Sequence, residues 1–258
     1  MDTLLFEVPR IDWNELPDAD KPHAGVVWHQ LVNLAHGVST FAAALQLFDN
    51  CEREIASAEA AKAAETQALM ELDVQERARR WRERPKTPRT TDGPPYIEWM
   101  TIAGREGGMT FWHLHCALAA IKRSLDKSPP LRSLVAVKEV DAALRRLRKL
   151  APDFKELRDS IGHRYELMET PEAIKANATK PFEMGGYKDA SGKNLWMENF
   201  GGPERRTFMT TAYTKLAEGK GKTVSYDLTE KTLGELVDLT RAIYASCRVP
   251  QATGPRPS

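Results

Sequence analysis

The sequence is poor in cysteine, and the three cysteines that it has lie far apart. They stand at positions 51, 116 and 247 of a 258-residue chain, so no short-spaced pair occurs. We therefore expect neither a disulfide scaffold nor a cysteine-based zinc site. A surplus of charge is missing too, because 37 Lys and Arg nearly cancel 36 Asp and Glu. This balance favours neither a basic nucleic-acid coat nor an acidic disordered chain.

The sequence also lacks targeting, membrane and common catalytic signals. The N-terminus has no positively charged start followed by a long apolar run, and no run of about 18 uncharged apolar residues occurs. We therefore expect a cytoplasmic protein with no membrane contact. The patterns G-x-S-x-G, H-E-x-x-H and G-x-G-x-x-G are missing. His113 and His115 would point about 200° apart on a helix, so we expect no metal and no cofactor.

Helical periodicity dominates what is present, with short strand patterns near the C-terminus. We predict an irregular arm over residues 1–23, a single helical domain over 24–250 and a disordered tail over 251–258. Inside the domain we predict four parts, which are long N-terminal helices over 24–84, a linker over 85–95, a helical core over 96–177, and a hairpin with a final helix over 178–250.

Three features of the predicted helices concern packing. Seven apolar residues recur at alternating spacings of four and three, which predicts a buried stripe: Val27, Leu31, Leu34, Val38, Phe41, Leu45 and Phe48. The segment 51–84 holds no Gly or Pro but few apolar positions, so we expect a helix that projects or contacts a partner. Gly104 and Gly108 lie one turn apart in the next helix, where we expect a neighbouring backbone to approach closely.

A short motif lies in the fifth predicted helix, over residues 153–169. Arg158 is followed by Asp159 and, five residues on, by His163, with Gly162 leaving space beside them. The motif resembles the R-x4-6-H signature of the HEPN family, whose domains are all-helical, often dimeric and in many cases ribonucleases. The resemblance covers about residues 96–177. It implies a mainly α fold, an antiparallel helical bundle to which this chain adds a small C-terminal β-hairpin.

The resemblance also implies a metal-independent endoribonuclease. His163 would move a proton while the 2′-hydroxyl of RNA attacks the adjacent phosphate, and Arg158 would stabilise charge on the phosphoryl oxygens. Asp159 would position either Arg158 or His163. Five residues separate Arg158 from His163, so they lie about 140° apart around a helix and roughly 7.5 Å along it. We therefore expect a homodimer with the helix 153–169 near its two-fold axis. Toxin–antitoxin or antiphage defence, with an antitoxin or other protein partner, is the implied setting.

A basic cluster precedes the motif. Between residues 138 and 149 there are five positive residues against two negative ones. We predict that four of them bind RNA phosphates, namely Arg145, Arg146, Arg148 and Lys149. No aromatic-interleaved stacking motif accompanies them, and a solvated helix face would have the same composition.

A second class of function stays open. In a non-catalytic helical interaction protein, Arg158, Asp159 and His163 would be structural, and residues 51–84 would bind the partner. The stripe of residues 27–48 and the glycine face at 104–108 would offer further surfaces for helix association.

Overall fold

A computed structural model describes residues 6–10, 16–83, 95–162, 198–201, 206–211 and 223–247. Six α-helices lie in these ranges: α1 (Lys21–Met70), α2 (Val74–Glu83), α3 (Tyr96–Lys127), α4 (Val137–Leu150), α5 (Phe154–Gly162) and α6 (Glu230–Ala245). Three strands lie there too: β1 (Glu198–Gly201), β2 (Thr207–Thr211) and β3 (Thr223–Asp227). The prediction of a mainly helical chain with a small strand element near its C-terminus is confirmed.

Most of the predicted element bounds hold to within a few residues, but α1 continues through residue 51, where we expected a second helix, and ends at Met70. α3 begins and ends where the periodicity placed it, while α1 begins three residues earlier than predicted. Pro22 explains that difference, because proline in the first turn of a helix loses no hydrogen bond. The predicted linker, apart from residue 95, and the predicted tail lie outside the described residues.

The core is built on α1 and α3, which run antiparallel. The Phe41 and Phe111 rings meet edge to face with centroids 5.8 Å apart, and Gly37 faces Leu114 three residues further along α3. All seven residues of the predicted α1 stripe are fully buried, as are the five apolar residues predicted for α3: Phe111, Leu114, Leu118, Ile121 and Leu125. The stripe is therefore occupied within the chain and offers no free surface to a second copy.

The antiparallel sheet, ordered β1-β2-β3, packs directly on the glycines of α3. A Cβ at Gly104 would lie 2.2 Å from the Phe208 ring, and one at Gly107 would lie 2.3 Å from the Tyr226 hydroxyl. The same hydroxyl donates to the Gly104 carbonyl oxygen at 2.6 Å. Burial raises the pKa of the Tyr226 phenol well above its usual value. The glycines thus leave room for two aromatic side chains of the sheet.

Gly108 serves a different neighbour. A Cβ there would lie 3.0 Å from Leu157 and 3.1 Å from Ile161, both on α5. Our expectation that Gly104 and Gly108 admit a neighbouring backbone was wrong, because the groups that fill the space are side chains of β2, β3 and α5. The glycine face is covered within the chain, so it is not available for helix association.

Polar contacts fasten the remaining elements to α1. Arg206, just before β2, binds Asp49 at 2.7 Å and Glu52 at 2.9 Å. The Tyr244 hydroxyl on α6 donates to the Leu31 carbonyl oxygen at 2.6 Å, and burial raises the pKa of this phenol to about 12. Both contacts hold the C-terminal elements against the buried half of α1.

Beyond Cys51, α1 leaves the core and forms, with α2, a projecting stalk (residues 52–83). Leu69 is the one buried residue between 52 and 70. The helix stops at residue 70 because the Asp73 carboxylate accepts from the next backbone N–H groups, of Gln75 and Glu76, and caps α2. Three large apolar side chains of the stalk are exposed: Met70 by 60%, Val74 by 77% and Trp81 by 56%. The predicted projection is confirmed, and partner binding stays a prediction.

One described helix, α1, is long and apolar enough to cross a membrane by length and composition. Residues 24–48 contain no charged side chain, although several polar ones interrupt the apolar pattern. Half of the most apolar 18-residue stretch of α1 is buried inside the protein, and core helices of soluble proteins can have the same length and composition. The cytoplasmic location therefore stays a prediction.

Candidate functional site

α5, which carries the motif, begins directly after α4. The Ala151 N–H donates to the Leu147 carbonyl oxygen at 3.1 Å, and the Phe154 N–H donates to the Ala151 carbonyl oxygen at 3.2 Å. All three residues are buried, so this turn is held by the core as well as by hydrogen bonds. Leu157 then places α5 against Gly108, which fixes the side of α5 that faces α3.

Arg158 is held in place by two contacts. Its guanidinium carbon lies 4.4 Å from the centroid of the Trp112 ring on α3, and a terminal nitrogen lies 2.8 Å from the Asp159 carboxylate. The side chains of Arg158 and Asp159 are 35% and 36% exposed. A stacked cation of this kind is stabilised by about 1 kcal/mol, and an ion pair this exposed adds little. The expectation that Asp159 positions Arg158 or His163 stays a prediction.

The third residue of the motif lies outside the described residues. α5 is described as far as Gly162, and His163 is the next residue. Its distance from Arg158 and its pairing with Asp159 therefore stay predictions. At Gly162 a Cβ would meet no described atom within 4 Å. The space that we expected this glycine to create would be open to alanine as well.

The predicted RNA-binding residues on α4 do not all face one way. Arg145, Arg148 and Lys149 are exposed, and the described part of the chain offers them no ion-pair partner. Arg146 instead binds Glu235 on α6 at 2.8 Å. α6 packs against α4 and supplies the partner of that one charge, and the binding of RNA phosphates by these four residues stays a prediction.

Three aromatic side chains that the motif did not include form a cluster, and one of them, Trp112, lies against the Arg158 guanidinium. The His115 ring lies 4.6 Å from the Phe154 ring and 6.1 Å from the Trp112 ring between centroids, and Trp112 lies 6.2 Å from Phe154. His115 and Trp112 are partly exposed. Sequence reasoning missed this cluster because Trp112 and His115 lie on α3, far from the motif. The only available signal was their position beside the core stripe of Phe111 and Leu114.

The imidazole of His115 is surrounded by positive charge. Burial lowers the pKa of His115, and the charges of Arg148, Lys155 and Arg123 lower it further. The surroundings therefore favour the neutral form of the ring. Its Nδ1 is buried and has no hydrogen-bond partner among the described residues.

No group of three His, Cys, Asp or Glu in the ranges that the structure describes is arranged to hold a metal ion. The groups that the site does offer are a stacked guanidinium, unpaired cations and an imidazole, which suit an anionic ligand such as a phosphodiester.

Comparisons with protein families, with curated proteins and with solved structures find no match to this chain.

Proposed function

We propose that this protein is a HEPN-like, metal-independent endoribonuclease with a site composed across a homodimer, acting in toxin–antitoxin or antiphage defence. The observation that carries the proposal is the state of Arg158. Its guanidinium is stacked on Trp112 and paired with Asp159, yet it is 35% exposed. A guanidinium group held in this way can bind a phosphate with little further loss of side-chain entropy.

The residues of the motif suit cleavage by the substrate's own hydroxyl. The 2′-oxygen bonds to the adjacent phosphorus, the bond from phosphorus to the 5′-oxygen breaks, and a cyclic phosphate and a free 5′-hydroxyl result. His163 would take the proton of the attacking hydroxyl or deliver one to the leaving oxygen. Arg158, which has a terminal nitrogen 2.8 Å from the Asp159 carboxylate, would stabilise the charge that grows on the phosphoryl oxygens.

His163→Ala is expected to lower cleavage of single-stranded RNA in EDTA by at least a hundredfold, since proton transfer contributes about 10²–10⁴ in rate. The measurement compares initial rates of wild type and variant on a labelled RNA. The matched control is His113→Ala, which removes an exposed histidine of α3 and should change the rate less than twofold. Cleavage that survives His163→Ala, or that requires a divalent metal, would contradict the proposal.

The composite site predicts a homodimer and complementation between variants. Light scattering should give twice the 29.0 kDa chain mass at micromolar concentration. Arg158→Ala and His163→Ala should each be inactive alone but regain activity when mixed, because a mixed dimer retains one Arg158 and one His163. A 29.0 kDa species, or a mixture as inactive as its components, counts against the composite site.

The exposed apolar side chains of the stalk favour a second candidate, the non-catalytic interaction protein. Met70, Val74 and Trp81 are each more than half exposed, which a purely structural hairpin does not need. This candidate is preferred if wild type leaves RNA intact while replacing these three residues by serine abolishes self-association.

A further inference from the structure

The corner where α3, α4 and α5 meet concentrates positive charge around one histidine. The short turn at residues 151–153 brings the end of α4, with Arg148, next to the start of α5, with Lys155. The Phe154 ring packs at a tilt against the His115 ring, with centroids 4.6 Å apart, which fixes that corner against the middle of α3. Both cations act on the His115 imidazole, and Arg123 on α3 adds a third charge.

The three cations of this corner form no ion pair within the described ranges, although Asp153 lies in the turn and Glu156 follows Lys155. Arg123, Arg148 and Lys155 are exposed and have no ion-pair partner among the described residues. No acidic side chain is among the charges that act on the imidazole. Arg146, on the same helix as Arg148, is instead paired with Glu235. Cations gathered around a partly buried ring, without an ion-pair partner among the described residues, are suited to bind an anion.

His115 is oriented so that one edge can meet such an anion. Nδ1 is the buried nitrogen, so the edge that carries Nε2 is the part of the ring open to solvent. Trp112 connects this corner to Arg158, because the His115 ring and the Arg158 guanidinium both lie against it, at 6.1 Å and 4.4 Å. The two anion-binding groups are therefore neighbours on one indole.

We infer that His115, Arg148 and Lys155 form a second phosphate-binding subsite beside Arg158, which takes a neighbouring phosphate of a single RNA strand. The identity of the ligand as RNA rests on the proposed function. The subsite itself rests on the convergence of three helices at His115.

The test uses an RNA strand that cannot be cleaved, so that binding is measured apart from chemistry. The probe is a fluorescein-labelled 2′-O-methyl oligouridylate of 12 nucleotides, titrated in EDTA with the full-length protein at several salt concentrations. Arg148→Ala with Lys155→Ala should weaken binding by at least tenfold. It should also reduce the salt slope by about 0.7 for each phosphate contact that is lost.

Two further variants separate the subsite from general loss of charge. Lys62→Ala with Arg241→Ala removes two exposed cations from the stalk and from α6, and binding should change less than twofold. His115→Phe keeps an aromatic ring against Phe154 but removes the nitrogens, and it should weaken binding about threefold. In wild type, NMR titration should show that the probe raises the pKa of His115, because a bound phosphate offsets the surrounding cations.

The outcomes distinguish the subsite from the enzyme. One outcome is that wild type cleaves RNA while the Arg148/Lys155 variant binds the probe as tightly as the Lys62/Arg241 variant does. In that case the proposal of a second phosphate-binding subsite is wrong and the proposal of a ribonuclease is kept. If wild type binds the probe through Arg148 and Lys155 but cleaves no RNA, the subsite stands and the nuclease is wrong. If wild type does not bind the probe, the subsite is overturned.

Discussion

We expect Gly104→Ala to lower the free energy of unfolding by about 3 kcal/mol, and the structural cause of this loss is clear. The new Cβ would lie 2.2 Å from the ring of Phe208, which is fully buried and cannot swing into solvent. Overpacking of this kind costs about 1–3 kcal/mol and sometimes more. Here the sheet must also move away from the α3 carbonyl that Tyr226 binds. Urea unfolding followed by circular dichroism measures the change.

The chain offers a matched control on another helix. Gly234 in α6 is exposed, and a Cβ there would meet no described atom within 4 Å. Gly234→Ala should therefore raise stability by about 0.5–1 kcal/mol through helix propensity alone. Combining Gly104→Ala with Phe208→Leu should cost less than the sum of the single changes. If Gly104→Ala is as stable as Gly234→Ala, the packing of β2 on α3 is wrong.

The second large effect concerns Arg158 and depends on the proposed ribonuclease. Arg158→Lys should lower kcat by about a hundredfold although the charge is kept, because loss of one charge-stabilising donor costs about 10²–10³ in rate. An ammonium group cannot keep both the planar stack on Trp112 and the fork toward Asp159 and the phosphate. Single-turnover cleavage of a labelled RNA in EDTA measures the chemical step, and Arg158→Ala should be slower still.

Arg145→Lys is the control for that experiment. Arg145 is exposed on α4 and has no ion-pair partner in the described ranges, so a lysine there should change kcat less than twofold. Thermal unfolding of the Arg158→Lys variant should stay close to wild type, because an ion pair that is one-third exposed contributes little stability. Full activity of Arg158→Lys would show that the stacked fork has no part in catalysis.

Local patterns explain why most of the fold could be predicted from the sequence. The α1 stripe and the bounds of α3 depend on periodicity within one helix, and that information is complete in the residues concerned. The break at residues 71–73 was missed although Asp73 is an ordinary helix cap. The partner of Gly104 could not be predicted, because a glycine shows that space is needed and not which side chain fills it.

The candidate site could be predicted only as far as its own helix. Arg158 and Asp159 are adjacent, so their pairing follows from the sequence, whereas Trp112 reaches Arg158 only through the packing of α5 on α3. The same limit applies to the ion pair of Arg146. Its partner Glu235 is 89 residues away, and only the packing of α6 on α4 brings the two charges together.

The bare glycine face of α3 has a consequence for the order in which the chain folds. The contact between Tyr226 and Gly104 joins residues 122 apart, while α1 and α3 can pair as soon as both have been synthesised. During synthesis, α3 is therefore complete before β2 and β3 exist, and the groove at Gly104 and Gly107 stays uncovered until they are made. An uncovered groove that fits aromatic rings can also accept the strands of another nascent chain. This groove is accordingly the place where strand exchange between copies would begin.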